Sequence, residues 1–231
     1  MTRARPLNNA TLHHAIITSL LDRCFAPNLE ELCDRFSVPR QGIERALREL
    51  ADYHGLVLHP ASARIWVAHP FSTAPTNFLV CQGDKEWWGN CAWCSLGLVA
   101  LLEGNATITT ALGANDRQIT IHVEDGEVVE TDLLVHFPVP MQNVWDNVVY
   151  TCSSMLVFDS EAKIDAWCAK HRIAKGDVQP IAKVWRFASE WYGRHGDEDW
   201  RKWTAAEAAE IFARHGLTGP IWDLPSEQGR F

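Results

Sequence analysis

Apolar and polar residues recur along this chain with two periods, and the period changes twice. Over residues 11–24, TLHHAIITSLLDRC, apolar positions return at helical spacing. Asn28 then stands as an N-cap before LEELCDRF. After the turn SVPR a third helical segment, QGIERALRELADY, runs up to His54 and Gly55. LVLHPASARIWVA alternates with period two instead, as a pair of strands around residues 60–63. Three helices followed by a two-stranded hairpin predict a winged-helix-like helical domain over residues 1–69.

From about residue 70 to 160 the pattern is strand-like. TNFLVCQG, ATITTAL, RQITIHVEDG, EVVETDLLVHFP and VVYTCSSMLVF are separated by Gly, Asn and Asp turn signals. Within this region one segment, residues 91–102, reads as a helix, with Asn90 as its N-cap and an apolar face at Cys94, Leu98, Leu101 and Leu102. Helical spacing returns from residue 161 in EAKIDAWCAKH, VQPIAKVWRFASEWYG and DEDWRKWTAAEAAEIFARHG, the last with Thr204 and Glu207 as a capping box. GLTGPIWDLP follows as an aromatic-bearing tail. The fold class is therefore α+β, with a winged-helix-like N-terminal domain, a mixed β-sheet core carrying one thiol-bearing helix, and a C-terminal helical extension.

Composition narrows the function. At 231 residues the chain suits one large domain or two small ones with a sizeable core. Its formal charge of −8 argues against a phosphate-binding face, so neither nucleic acid nor an acidic membrane is expected as a partner. The winged-helix-like region agrees: Arg45 and Arg48 on its third helix are offset by Glu44, Glu49 and Asp52, which favours a packing or lid role over DNA reading. The N-terminal apolar stretch is too short for a secretory segment, and no run is long enough to span a bilayer. A cytoplasmic address follows, with the seven cysteines as free thiols. Cys24, Cys33, Cys81 and Cys168, set in apolar patterns, are expected to be buried structural thiols.

The remaining cysteines carry the chemistry. In WWGNCAWCSLGLVALL, Cys91 and Cys94 fall in the first turn of the predicted helix and on one face. Backbone N–H groups at a helix start favour thiolate, so the two are suited to gripping a soft metal ion or to acting as a redox pair. Cys152, in a segment read as a buried strand, is placed to point into the same cavity. No second C-x-x-C and no histidine pair at ligand spacing marks a structural zinc site.

The segments NCAWCSLGLVALLEG, VVYTCSSMLVFDS and DAWCAKH resemble the organomercurial (alkylmercury) lyase family. The likeness runs from about Leu12 to His171 and weakens after Lys175, which divides the chain into residues 1–69, 70–175 and 176–231. The resemblance implies protonolysis of a carbon–mercury bond, in which two cysteine thiolates hold mercury and an aspartate three residues after the first cysteine helps deliver a proton to the leaving carbon. Carried onto this chain, the first cysteine falls on Cys94, the second on Cys152 and the aspartate on Gly97, which has no proton to give. Three readings follow. Cys91 takes part as the third group, with Cys91 and Cys94 filling the Cys-x-x-acid slots; or a carboxylate arrives from elsewhere, Asp146 or Asp84; or the protein binds a soft ion without efficient cleavage. Mercury would bind transiently to Cys91, Cys94 and Cys152. Trp87, Trp88 and Trp93, with Gly97, would wall a water-poor pocket for the organic group. The resemblance further implies no required cofactor, Hg(II) as bound product, free thiols as its acceptors, a small organomercurial as substrate, and low-molecular-weight thiols or a mercuric reductase as partners.

Three other classes compete on sequence: a thiol-based soft-metal-binding or metal-responsive regulator, a thiol redox protein using Cys91 and Cys94, and an enzyme of the same fold with a different substrate.

Overall fold

The computed structural model describes residues 6–224 and Phe231. The three N-terminal helices form where the pattern puts them: α1 (Asn9–Arg23), α2 (Leu29–Phe36) and α3 (Arg40–Asp52). Asn8 and Asn28 close capping boxes with Thr11 and Glu31, satisfying the first free N–H groups of α1 and α2. Strands β1 (Val57–Leu58) and β2 (Ile65–Ala68) make the expected hairpin. The hairpin is not a free wing. Strand β2 pairs onward with β3 (Phe71–Ser72), so it is the edge of the main sheet.

That sheet continues through β4 (Phe78–Gln82), β5 (Lys85–Gly89), β6 (Ala106–Ala111), β7 (Gln118–Glu124) and β8 (Glu127–Val128), in the order β1-β2-β3-β5-β4-β6-β7-β8, with neighbours antiparallel. The alternation of β6, buried at Ala106, Ile108 and Thr110, turns one face to the core. On that face lies α4 (Ala92–Leu101), whose first eight residues are all buried. A helix apolar all round must be covered on all sides. The sheet covers one side of α4, and α7 (Ile181–Tyr192) covers another.

A second, three-stranded sheet holds β9 (Leu134–Phe137) between β10 (Val157–Phe158) and β11 (Asp177–Pro180). Between β9 and β10 runs α5 (Val148–Ser154), capped by Asn147. The pattern VVYTCSSMLVF reads as one strand, but only its last two residues pair as one; the start forms seven residues of helix, too few to show a helical period. Helix α6 (Glu161–His171) occupies the predicted residues with Ser160 as its cap. Helix α8 (Ala205–Arg214) starts at the Thr204–Glu207 capping box, later than the apolar pattern suggests, so residues 197–203 form a loop that carries Trp200 and Lys202 inward.

Candidate active site

Helix α4 begins one residue later than its sequence predicts. Its N-cap is Cys91, not Asn90, and the Cys91 sulfur accepts the backbone N–H of Cys94 at 3.3 Å. Sulfur takes the place that an oxygen usually fills at this position. The helix start is tied to the end of α5 by the Ala92 N–H, which donates to the Met155 carbonyl at 3.1 Å. Met155 itself follows Cys152, and its thioether accepts the Cys91 S–H at 3.5 Å. These links bring Cys152, on a helix and not the predicted strand, up to the thiols of α4. The sulfurs of Cys91, Cys94 and Cys152 interact directly with one another and are all buried.

They line a cavity of about 50 Å³ together with His69, Trp93, Trp145, Met155, Trp191, Tyr192, His195, Lys202 and Phe231. Trp93 stacks on Phe187, 4.6 Å between ring centroids, and lines the cavity. Trp87 and Trp88 do not. They lie on β5, where the Trp87 indole donates to the Leu20 carbonyl of α1 at 2.7 Å and so anchors the N-terminal helices to the sheet. Trp145 and Trp191 supply the aromatic surface instead.

Gly97 is not an open slot in the pocket either. A side chain there would run into the ring of Tyr192, which packs against α4 at this point. Glycine within a helix costs about 1 kcal/mol relative to alanine. Here it permits the close approach of α7, and the Tyr192 hydroxyl thereby comes within 3.3 Å of the Cys94 sulfur. The other proposed acids are remote: Asp84 is exposed in the turn after β4, and Asp146 is exposed and accepts a bond from Asn143. Among the described residues, no carboxylate lines the cavity.

The electrostatics place one charge on three sulfurs. Burial pushes the Cys91 thiol well up, and its hydrogen bonds to Cys152 and Cys94 add to this. Burial opposes ionisation of Cys94 as well, but its interactions with Cys152, Cys91 and Tyr192 hold it well below the ordinary thiol range. The bond between Cys91 and Cys152 favours a Cys152 thiolate, yet its bond to Cys94, its burial and the Cys94 charge leave it well above. Of the three sulfurs Cys94 is the one whose thiolate is favoured, while Cys91 and Cys152 are pushed toward the thiol. Burial and the adjacent Cys94 charge also keep Tyr192 protonated, so its O–H donates to Cys94.

Basic groups close the other side. His69 Nε2 accepts from the Asn90 side-chain amide at 3.3 Å and faces the Cys152 sulfur at 3.9 Å. Burial lowers its pKa to about 4, so the imidazole is neutral. Lys202 sits over the Trp145 ring at 4.6 Å, its pKa lowered by burial to about 7. Sequence spacing pointed to none of His69, Tyr192, His195 or Lys202. The one available signal was Gly97, since a glycine within an apolar helix marks a close approach. Of the other cysteines only Cys168 is buried; Cys24, Cys33 and Cys81 are half-buried, and all seven are free.

A buried cluster of soft donors beneath an apolar cavity is the donor chemistry that suits a thiophilic metal ion. Residues 71–193, more than half of the chain, match the alkylmercury lyase (MerB) family, and the chain belongs to that family. It is an organomercurial lyase by class, an enzyme family that needs no cofactor. The solved structure of the mercury-bound form of MerB2 shares the fold, with a TM-score of 0.66 at 18% identity over 82% of this chain and 92% of that one. No curated protein matches the chain at a significant level. Three cavity residues, His195, Lys202 and Phe231, follow the family-matched segment and His69 precedes it. None of the helices among the described residues is long and apolar enough to cross a membrane.

Proposed function

We propose that this enzyme cleaves carbon–mercury bonds with Cys94 as nucleophile, Cys152 as second mercury ligand and proton donor, and Cys91 as the third thiol of the cluster. The observation that carries this reading is the convergence of one thiolate and two thiols on a single apolar cavity.

The Cys94 thiolate attacks mercury in R–Hg–X and displaces X⁻, giving R–Hg–S(Cys94). The Cys152 sulfur then joins mercury as its proton passes to the carbon. R–H leaves, and Hg(II) remains on two sulfurs. No separate acid is required, because the thiol that binds the metal carries the proton the carbon needs. Cys91 lends further electron density to the metal and weakens its bond to carbon.

Tyr192 positions the attacking thiolate by donating to Cys94, and Trp93, Trp145 and Trp191 receive the alkyl or aryl group and exclude water. Two low-molecular-weight thiols, or a mercuric reductase presenting a thiol pair, then take Hg(II) and restore the protein thiols; the Cys94 proton returns to solvent. A reducing compartment such as the cytoplasm suits these free cysteines.

The test is benzene release from phenylmercury with excess thiol. Wild type turns over, and Cys94→Ser and Cys152→Ser each lose activity by roughly a hundredfold or more. Full turnover in Cys152→Ser would overturn the assignment.

A further inference from the structure

The cavity contains a donor set that shares two sulfurs with carbon–mercury cleavage and adds a histidine that the cleavage does not use. His69 Nε2, Cys94 Sγ and Cys152 Sγ all lie within 4.8 Å of one another. From the arrangement of these three atoms we infer that they form a binding site for a borderline d¹⁰ cation, Zn(II), in its own right.

The imidazole is oriented for coordination. Its Nε2 accepts from the Asn90 amide, which places the ring proton on Nδ1, and faces the Cys152 sulfur, so a cation bound there takes over the lone pair from Asn90. Nδ1 is sealed from solvent with no hydrogen-bond partner. Zinc binds thiolate sulfur at about 2.3 Å and imidazole nitrogen at about 2.0–2.1 Å, so tetrahedral donors lie roughly 3.5–3.8 Å apart. The 3.9 Å between Cys152 Sγ and His69 Nε2 is already near that spacing, and the whole set closes by about 1.3 Å at most.

Donor chemistry selects the ion. With no carboxylate among the cavity's described lining, the site offers nothing to Mg(II) or Ca(II), whereas two thiolates and one neutral imidazole suit Zn(II). Cys94 and Cys152 as thiolates neutralise the ion's charge, which a water-poor cavity requires. Cys152 gives up its proton to solvent as the ion binds. The Tyr192 O–H on Cys94 is an outer-shell partner of the kind that fixes such ligands. Cys91 lies beside this set at the α4 N-cap, outside the group of three. Zinc would hold the same sulfurs that the mercurial needs, so the two compete.

The test needs no organomercurial. Reduced full-length protein, stripped with a chelator, is titrated with Zn(II) against a chromophoric chelator. One equivalent binds, Co(II) in its place gives sulfur-to-metal charge-transfer bands, and X-ray absorption of the zinc-loaded wild type shows both sulfur at about 2.3 Å and nitrogen at about 2.0–2.1 Å. His69→Ala weakens binding by about tenfold or more and removes the nitrogen contribution. Because Cys168 also lies near a histidine, 3.6 Å from His136 Nε2, Cys168→Ser serves as control and keeps the affinity. No stoichiometric binding, an all-sulfur shell in wild type, or a site lost with Cys168 but kept with His69→Ala overturns the inference. Each outcome is independent of whether the protein cleaves phenylmercury.

Discussion

The Tyr192 hydroxyl lies 3.3 Å from the Cys94 sulfur, and the ring that carries it stands in the space a side chain at Gly97 would need. One contact between α4 and α7 therefore both supplies a donor to the thiolate and removes the position where the family resemblance sought an acid.

Tyr192→Phe keeps the ring in place and deletes the donor. A hydrogen bond to a charged group is worth about 1.5–3 kcal/mol, equivalent to roughly one to two pH units. The pH at which Cys94 is half alkylated, followed by mass spectrometry of its peptide, is expected to rise by about that amount while the unfolding midpoint changes little. An unchanged profile would remove Tyr192 from the site's electrostatics.

Gly97→Asp is not expected to restore a missing acid. The new side chain meets the Tyr192 ring and forces α4 and α7 apart, an overpacking strain of about 1–3 kcal/mol. Denaturant unfolding should show a lowered midpoint, together with slower, not faster, hydrocarbon release. Faster release from a stable variant would show that the slot is open to catalysis.

Cys91 has two roles that substitution can separate. Cys91→Ser keeps an acceptor for the Cys94 N–H, whereas Cys91→Ala removes it and costs about 1 kcal/mol of helix capping. Both variants should lower turnover and alter its pH profile through loss of the third thiol, and only Cys91→Ala should also lower stability. Wild-type kinetics in Cys91→Ser would confine Cys91 to capping.

Acid should destabilise the fold through its buried histidines. Burial lowers His13, His69 and His195 below the ordinary imidazole value of 6.5, with neighbouring Lys202 acting in the same direction on each. A base depressed in the folded state contributes stability that is present above pH 6.5 and lost as pH falls. For His69, at about 4, the window runs from about 6.5 to 4 and the loss reaches roughly 3 kcal/mol. Urea unfolding at pH 7 and pH 4 should show a drop at least that large. His13→Phe, which keeps the stack on Trp200 (3.5 Å between centroids), should reduce the drop.

Much of this architecture is legible in the sequence because it rests on local signals. Capping residues at Asn28 and Thr204 mark helices α2 and α8, and period-two alternation marks β4, β6 and β7. The three thiols are legible as well, because cysteines near a helix start and in an apolar segment are chemically distinctive. What surrounds them is not. Cys94 meets Tyr192 across 98 positions and Cys152 meets His69 across 83, and no spacing rule reaches that far. Trp87 misled because an aromatic next to the thiols in sequence is committed to α1, its indole donating to the Leu20 carbonyl. The C-terminal segment read as an extension, yet α7 and the loop after it cover the site with Tyr192, His195 and Lys202.

The central claim is that the thiol cluster supplies both the ligands for mercury and the proton for carbon. A single turnover of methylmercury on reduced protein, without added thiol, counts both at once. The account predicts one equivalent of methane, Hg(II) retained on the protein, and loss of two titratable thiols, which peptide mapping assigns to Cys94 and Cys152. Intact methylmercury bound to the thiols with no methane, or methane formed with Cys152 still free, would contradict it.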